Sequence, residues 1–215
     1  MASAYRHVIF DIDGTMIDTE KTGVLSFLQT LKELTGREMS YDEAYSYYGI
    51  PSAKVGEVIG YSDSLHFQDV WETHFMELRH LITPFPGIPE LIQDLHAAGV
   101  SMSLVTSRSR KELEADAHLA PMLPLFTCAV CAEDAERPKP FPDPVYAVLR
   151  KVSEELGVVI DAGDCLFLGD TKHDYGCASA AGCDFALVDW RGRGMQGLAP
   201  EHYITDIRSI YGILL

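Results

Sequence analysis

The sequence predicts an α/β protein: a doubly wound parallel sheet with a small all-helical segment inserted after its first strand. Three observations carry this. Short apolar runs alternate with helical patterns along most of the chain. These runs are apolar without a break, as strands buried on both faces require. One long stretch, from Thr19 to Thr83, has helical spacing but no convincing strand.

Arg6-His-Val-Ile-Phe10 predicts the first strand. In the insert, Leu25, Leu28, Leu31 and Leu34 recur at helical spacing, and Gly36 closes that helix. Ser40 and Glu43 form a capping box for the next one. Leu65 to Ile82 reads as a longer helix, and Pro84-Phe-Pro-Gly87 marks the return to the sheet. A helix from Pro89 to Ala98 stops at Gly99, and Ser101 to Val105 is the second strand. Lys111 to Leu119 is helical, Phe126 to Ala132 is the third strand, and Asp143 to Leu156 is helical. Cys165 to Leu168 is the fourth strand, Lys172 to Ala181 a helix and Asp184 to Val188 the fifth strand. Gly157 and Gly182 stand where helix ends favour a left-handed residue. Residues 1–18 and 84–215 are therefore expected to form the Rossmann-like core, and 19–83 the helical insert.

A chain of 215 residues suits one domain with a modest insert. Its 17 basic and 32 acidic residues give a net charge of −15, so nucleic acid and anionic membranes are not expected partners. No apolar run approaches the roughly 20 residues that span a bilayer. Met1 to His7 lacks the layout of a secretion signal, so a cytoplasmic protein is expected. Monomer and homodimer both remain open. Cys128 and Cys131 form a C-x-x-C, but on a strand two residues three apart face opposite ways, and no second pair completes a zinc site. They read as buried thiols.

The polar residues collect after the strands, where open parallel sheets bind ligands. The first strand runs into Asp11-Ile-Asp13-Gly-Thr15, whose two carboxylates, two residues apart, can address one site. Gly14 permits a sharp turn. The second strand runs into Thr106-Ser107, and the fourth into Gly169-Asp170-Thr-Lys-His-Asp174. A helix starting near Thr171 would set Asp170 and Asp174 one turn apart. Arg137-Pro-Lys139-Pro-Phe-Pro142 is a proline-fixed loop that presents one lysine. Hard oxygen ligands point to magnesium. A metal, a lysine and polar donors are what the equatorial oxygens of a transferring phosphoryl group need. A carboxylate nucleophile splits hydrolysis into two steps, and a second carboxylate can move the proton.

These four motifs, in order and spread over nearly the whole chain, resemble those of the haloacid dehalogenase superfamily. The insert resembles the small helical cap of its phosphoglycolate-phosphatase-like and phosphoglucomutase-like branch. The resemblance implies that Asp11 is the nucleophile and Asp13 the general acid/base. Thr106 would bind a phosphoryl oxygen with backbone N–H groups of Asp13 and Ser107, and Lys139 would pair with the phosphoryl group and with Asp11. Asp11, the carbonyl of Asp13 and Asp170 would hold Mg2+, with Asp174 as a supporting ligand or one step behind. The ion and Lys139 would then offset the acidic field locally. Thr106 could instead cap the following helix, and Asp174 could serve the helix dipole. Arg108 and Arg110 read as solvated charges, His173 as a surface histidine, and Tyr45, Tyr47 and Tyr48 as packing. Gly49-Ile-Pro-Ser52, with Lys54, is expected in a cap turn that selects the substrate.

Asp13 separates this chain from the metal-free dehalogenases of the same fold, which lack a second carboxylate. The expected activity is Mg-dependent hydrolysis of a small phosphorylated metabolite through an aspartyl phosphate, with the cap closing to exclude water. A phosphomutase is the alternative, weakened because Thr22-Gly23-Val24 lacks the histidine that such relatives carry there. A signalling protein of the receiver type, which also forms aspartyl phosphate, is a rival from another class. It would have neither cap nor second carboxylate.

Overall fold

The computed structural model of the protein describes residues 5–48, 50 and 52–215, with the backbone alone at Ser52 and Ala53. The strands are β1 (His7–Phe10), β2 (Ile17–Asp18), β3 (Thr83–Pro84), β4 (Met102–Val105), β5 (Cys128–Val130), β6 (Cys165–Gly169), β7 (Asp184–Val188) and β8 (His202–Ile204). The helices are α1 (Glu20–Thr35), α2 (Tyr41–Tyr45), α3 (Ser52–Val58), α4 (Ser64–Leu78), α5 (Ile88–Ala97), α6 (Arg110–Ala115), α7 (Asp143–Leu156), α8 (Lys172–Ala181) and α9 (Ile207–Leu214). The chain divides into two compact units: one runs to Met16 and resumes at Pro84, and the other is Ile17–Thr83.

The larger unit holds a six-stranded parallel sheet in the order β5-β4-β1-β6-β7-β8. Ile9, Val105, Phe167 and Phe185 bury one face against Val145, Val148 and Val152 of α7 and Cys177 of α8. The alternate residues Val8, Phe10, Met102, Leu104, Leu166 and Leu168 are buried as well, as are Leu91 and Leu95 of α5 and Ile210 and Leu214 of α9. A sheet covered on both faces has no solvent side to mark with polar residues, which is why its strands read as unbroken apolar runs. Each such large side chain contributes roughly 1.5–3 kcal/mol when fully buried.

Three departures from the sequence reading have local causes. A sixth strand, β8, and its helix α9 extend the sheet; β8 spans three residues, too few for a pattern. The third strand shrinks to Cys128–Val130, an edge strand flanked by 3₁₀ turns at Leu123–Leu125 and Ala132–Asp134. The helix expected to reach Leu119 ends at Ala115, because the Asp116 carboxylate accepts the N–H groups of His118 (2.8 Å) and Leu119 (3.3 Å). Cys128 and Cys131 are free thiols, and Cys131 is buried. No helix among the described residues is long and apolar enough to cross a membrane.

The smaller unit is built of α1 to α4. Val24, Phe27 and Leu31 of α1 meet Ala44, Val55 and Phe67 in a separate core. The deepest face is thus 24/27/31, with Leu25, Leu28 and Leu34 only partly buried. Gly36 ends α1 at φ +69°, and the Ser40–Glu43 capping box starts α2. Tyr47 stacks on Phe27 at 5.2 Å and Tyr45 on Tyr48 at 5.8 Å, so the tyrosine cluster packs. Gly56 lets α3 meet α4: a Cβ there would lie 2.9 Å from the Cα of Ser64.

His7, fully buried at the start of β1, keeps Nδ1 2.8 Å from the Ser101 hydroxyl, while its Nε2 has no hydrogen-bond partner among the described residues. Burial lowers its pKa to about 4. The unfolded chain binds a proton at His7 near 6.5 and the folded chain near 4, so protons favour unfolding between those values. We expect stability to fall by on the order of 3 kcal/mol as the pH drops through this window. Urea unfolding at stepped pH measures it, and His7→Val should flatten that part of the curve. An unchanged slope in the variant refutes the assignment to His7.

Candidate active site

The sheet register builds the site. Phe10 of β1 lies level with Leu104 of β4 and Leu168 of β6. Asp11 is therefore one step beyond the paired residues at the middle of the sheet, and Thr106 and Asp170 follow the ends of the two flanking strands. Residues far apart in sequence thus converge at one sheet end. The N–H of Asp11 still donates to Leu168 at 2.9 Å, which fixes the carboxylate's origin. Gly14 turns the chain at φ +85°, where a Cβ would lie 2.0 Å from Oδ2 of Asp170. Close approach and left-handed backbone both demand glycine there. The loop is pinned from both sides. The Thr15 hydroxyl donates to Oδ1 of Asp170 at 3.2 Å, and the Trp190 indole N–H donates to the Thr15 carbonyl at 2.9 Å.

Lys139 reaches this cluster from its proline-flanked loop. Its Nζ donates to Oδ1 of Asp11 and to Oδ1 of Asp174, each at 2.6 Å. All three side chains are almost wholly buried. Gly176 of α8 makes room for the loop, since a Cβ there would lie 2.7 Å from Cβ of Pro140. Asp174 is the third residue of α8 and completes a capping box, its Oδ2 accepting the N–H and hydroxyl of Thr171. Both of its oxygens thus have protein partners, and its helix-capping role and its place in the cluster hold together. Gly169 allows this approach, with a notional Cβ 2.4 Å from that of Asp174.

Oxygen atoms of Asp11, Asp170 and Asp174 lie within 4.8 Å of one another. One lysine therefore faces three carboxylates. Burial raises Asp11, Lys139 pulls it down, and Asp174 and Asp13 push it up again, to about 7. Burial and the charges of Asp11 and Asp174 hold Asp170 well above the ordinary carboxylate range. Burial alone would lower Lys139, but Asp11 and Asp174 reverse it, so its ammonium is held more firmly than in water. The cluster is short of positive charge and offers oxygen donors, which fits a hard divalent cation.

Asp13 is not one of the three clustered carboxylates, although its charge reaches Asp11, as the two-residue spacing leads one to expect. Its oxygens receive the Arg108 guanidinium in a two-pronged grip, Nε to Oδ2 at 2.8 Å and Nη2 to Oδ1 at 2.6 Å. Nη1 of Arg108 donates to Asp116 at 2.6 Å. Reading Arg108 as a solvated charge is thereby corrected: its side chain is 14% exposed and bridges two carboxylates. Arg110 is paired too, with Asp134 and with the Ala129 carbonyl. The sequence signal for Arg108 was its place two residues beyond Thr106, in the same turn as the site. Thr106 is buried, and its hydroxyl accepts the N–H of Arg108 at 3.1 Å. It does not cap α6, which Ser109 caps in a box with Glu112. Ser107 is exposed and His173 half-buried.

The substrate-selecting turn falls differently. Gly49 and Pro51 lie outside the described residues, as does the side chain of Ser52. Ser52 begins α3 and exposed Lys54 lies inside it, so these two belong to a helix and not to a turn. Ala53 and Lys54 favour a helix, and Val55 is buried in the core.

Residues 8–188 match the family model described as haloacid dehalogenase-like hydrolase. A protein from Anoxybacillus flavithermus named Pyrophosphatase PpaX is 27% identical over 219 residues, covering 96% of each chain. The crystal structure of a presumed phosphoglycolate phosphatase from Lactobacillus plantarum superposes with a TM-score of 0.84 at 25% identity, over 99% of this chain and 100% of that one. That of a presumed beta-phosphoglucomutase from Thermotoga maritima gives 0.73 at 20% identity, over 98% and 100%.

Removing the ammonium leaves buried carboxylates without a countercharge. We expect Lys139→Met to destabilise the folded protein by about 3–5 kcal/mol in the presence of chelator. Urea unfolding at neutral pH measures this, and a loss under 1 kcal/mol would show that the cluster does not depend on the lysine.

Proposed function

The chain belongs to the haloacid dehalogenase-like hydrolase family, and we propose that it is a magnesium-dependent phosphatase acting on a small phosphomonoester through an aspartyl phosphate. The observation that carries this reading is the Lys139 ammonium seated on Asp11 within a three-carboxylate cluster. Such a group neutralises one charge as an anionic carboxylate meets an anionic phosphate.

Asp11 is the proposed nucleophile. In the first step one of its oxygens bonds to phosphorus, the bond to the leaving oxygen breaks, and Asp13 gives that oxygen a proton. In the second step Asp13 takes a proton from water, the water oxygen bonds to phosphorus, and the bond to Asp11 breaks, which releases phosphate. Thr106 and the N–H groups of Asp13 and Ser107 donate to the equatorial oxygens. Bound Mg2+, on the carboxylates of Asp11 and Asp170 and the carbonyl of Asp13, would supply the remaining positive charge. Asp174 holds Lys139 in line and would support the ion as a further ligand or through its neighbours. The helical unit is assigned the choice of leaving group.

The named relatives agree with phosphoryl chemistry on small molecules, one as a pyrophosphatase and one as a presumed phosphoglycolate phosphatase. A phosphoglycolate-phosphatase-like activity on a soluble phosphorylated metabolite in the cytoplasm follows as the proposal.

A phosphate-release screen across small phosphorylated metabolites is the direct test. Asp11→Asn should lower kcat by on the order of 10⁴-fold or more, and wild-type-like turnover in that variant refutes the mechanism. Asp13→Asn should cost about 10²–10⁴-fold, in both formation and breakdown of the phosphoenzyme. Dialysis against chelator should abolish turnover and added Mg2+ should restore it. Isomer formation from a sugar phosphate in place of phosphate release would assign a mutase instead.

A further inference from the structure

Arg108 does more than balance charge. It is joined to two carboxylates of different standing. Asp116 is fixed: besides the guanidinium it accepts two backbone N–H groups where α6 ends, and its side chain is 10% exposed. It anchors Nη1 and so aims the fork. Asp13 is the more open partner, with 35% of its side chain exposed, and it holds the Nε and Nη2 edge face to face. That edge is the one with which arginine binds carboxylates and phosphates in two parallel bonds. The backbone N–H of Arg108 sits on the hydroxyl of Thr106, so the guanidinium springs from the turn assigned to the phosphoryl group. One guanidinium already serving two carboxylates has no charge left for a third anion. An incoming anion must therefore take the place of one of them, and the more exposed edge, toward Asp13, is where exchange is cheaper.

We propose that Arg108 is the specificity residue for a second anionic group on the substrate, a carboxylate or phosphate on the leaving-group side, which replaces Asp13 on the guanidinium fork. The exchange does two things at once. It binds the substrate's second charge, and it frees the Asp13 carboxylate to take up a proton from solvent and pass it to the leaving oxygen. Substrates with an uncharged leaving group lack the means to displace Asp13, so they react more slowly. This inference rests on the phosphatase reading and adds the class of substrate.

Three esters test it: phosphoglycolate with its carboxylate, ethylene glycol bisphosphate with its second phosphate, and 2-hydroxyethyl phosphate as the uncharged analogue. For the wild-type enzyme kcat/KM on at least one of the two anionic substrates should exceed that on the analogue by about 10- to 100-fold, as charged hydrogen bonds of this kind imply. The favoured member of the pair tells carboxylate from phosphate. Arg108→Gln should bring the ratio close to one, mainly through KM for the anionic substrate. Arg108→Lys, which keeps the charge without the fork, should restore part of it. Circular dichroism checks that each variant is folded, and the wild-type ratio needs no variant at all. Hydrolysis of all three esters with no preference for an anion overturns this proposal and leaves the phosphatase reading standing. A preference that survives both substitutions overturns it as well. Absence of hydrolysis of every ester by the wild-type enzyme removes the phosphatase reading, and this one with it.

Discussion

The structure of the site depends on one buried ion pair with two arms, the Lys139 ammonium between Asp11 and Asp174. Three elements meet there that share no local sequence: the end of β1, the proline loop before α7 and the first turn of α8. Bringing carboxylates together under cover is costly, because burial and mutual repulsion both oppose their charged forms. The lysine offsets this in part. Close approach must then be geometrically possible, and it is glycine that allows it. Gly14, Gly169 and Gly176 each stand where a Cβ would strike Asp170, Asp174 or Pro140. The glycines and the lysine thus answer one constraint, the first by removing atoms and the second by supplying charge. What charge remains unbalanced is the physical argument for a divalent cation.

The net charge of −15 belongs in the same frame. An acidic surface disfavours anionic substrates at a distance, with an effect that salt screens beyond roughly 10 Å. Within the site the balance is set by a few groups at hydrogen-bond range, where Lys139 and Arg108 outweigh distant carboxylates. Both cations are themselves held by carboxylates, so neither stands as an open anion trap in the resting protein.

Much of the fold was legible because burial on two faces leaves an unmistakable mark. β1, β4, β6 and β7 read as apolar runs, and α7 and α8 end where Gly157 and Gly182 take left-handed backbone. Those strands carry Asp11, Thr106 and Asp170 at their ends, so the sheet order that unites them followed from alternation and parallel pairing. What escaped was short or depended on side-chain reach. β8 has three residues. The path of the Arg108 side chain depends on where α6 stops, which Asp116 decides through its own hydrogen bonds. Sequence spacing set Asp13 beside Asp11 along the chain, but it could not say which way a carboxylate turns when a guanidinium stands within reach.

That last point bears on the chemistry. A proton donor to a leaving group cannot at the same moment be a carboxylate gripped in two bonds by a guanidinium, because that grip favours the ion. On the proposed mechanism Asp11 already has its countercharge in Lys139, whereas Asp13 is held by Arg108. The two halves of the proposed acid/base and nucleophile pair are therefore in different states of readiness. Under the proposed mechanism, a site of this kind would keep the Asp11 carboxylate from reacting with every phosphate ester that diffuses in. On that proposal Asp11 could meet phosphorus, but the leaving oxygen would find no proton until Asp13 is released. Selection then occurs in the chemical step as well as in binding, which is where interactions made only on the way to the transition state count most.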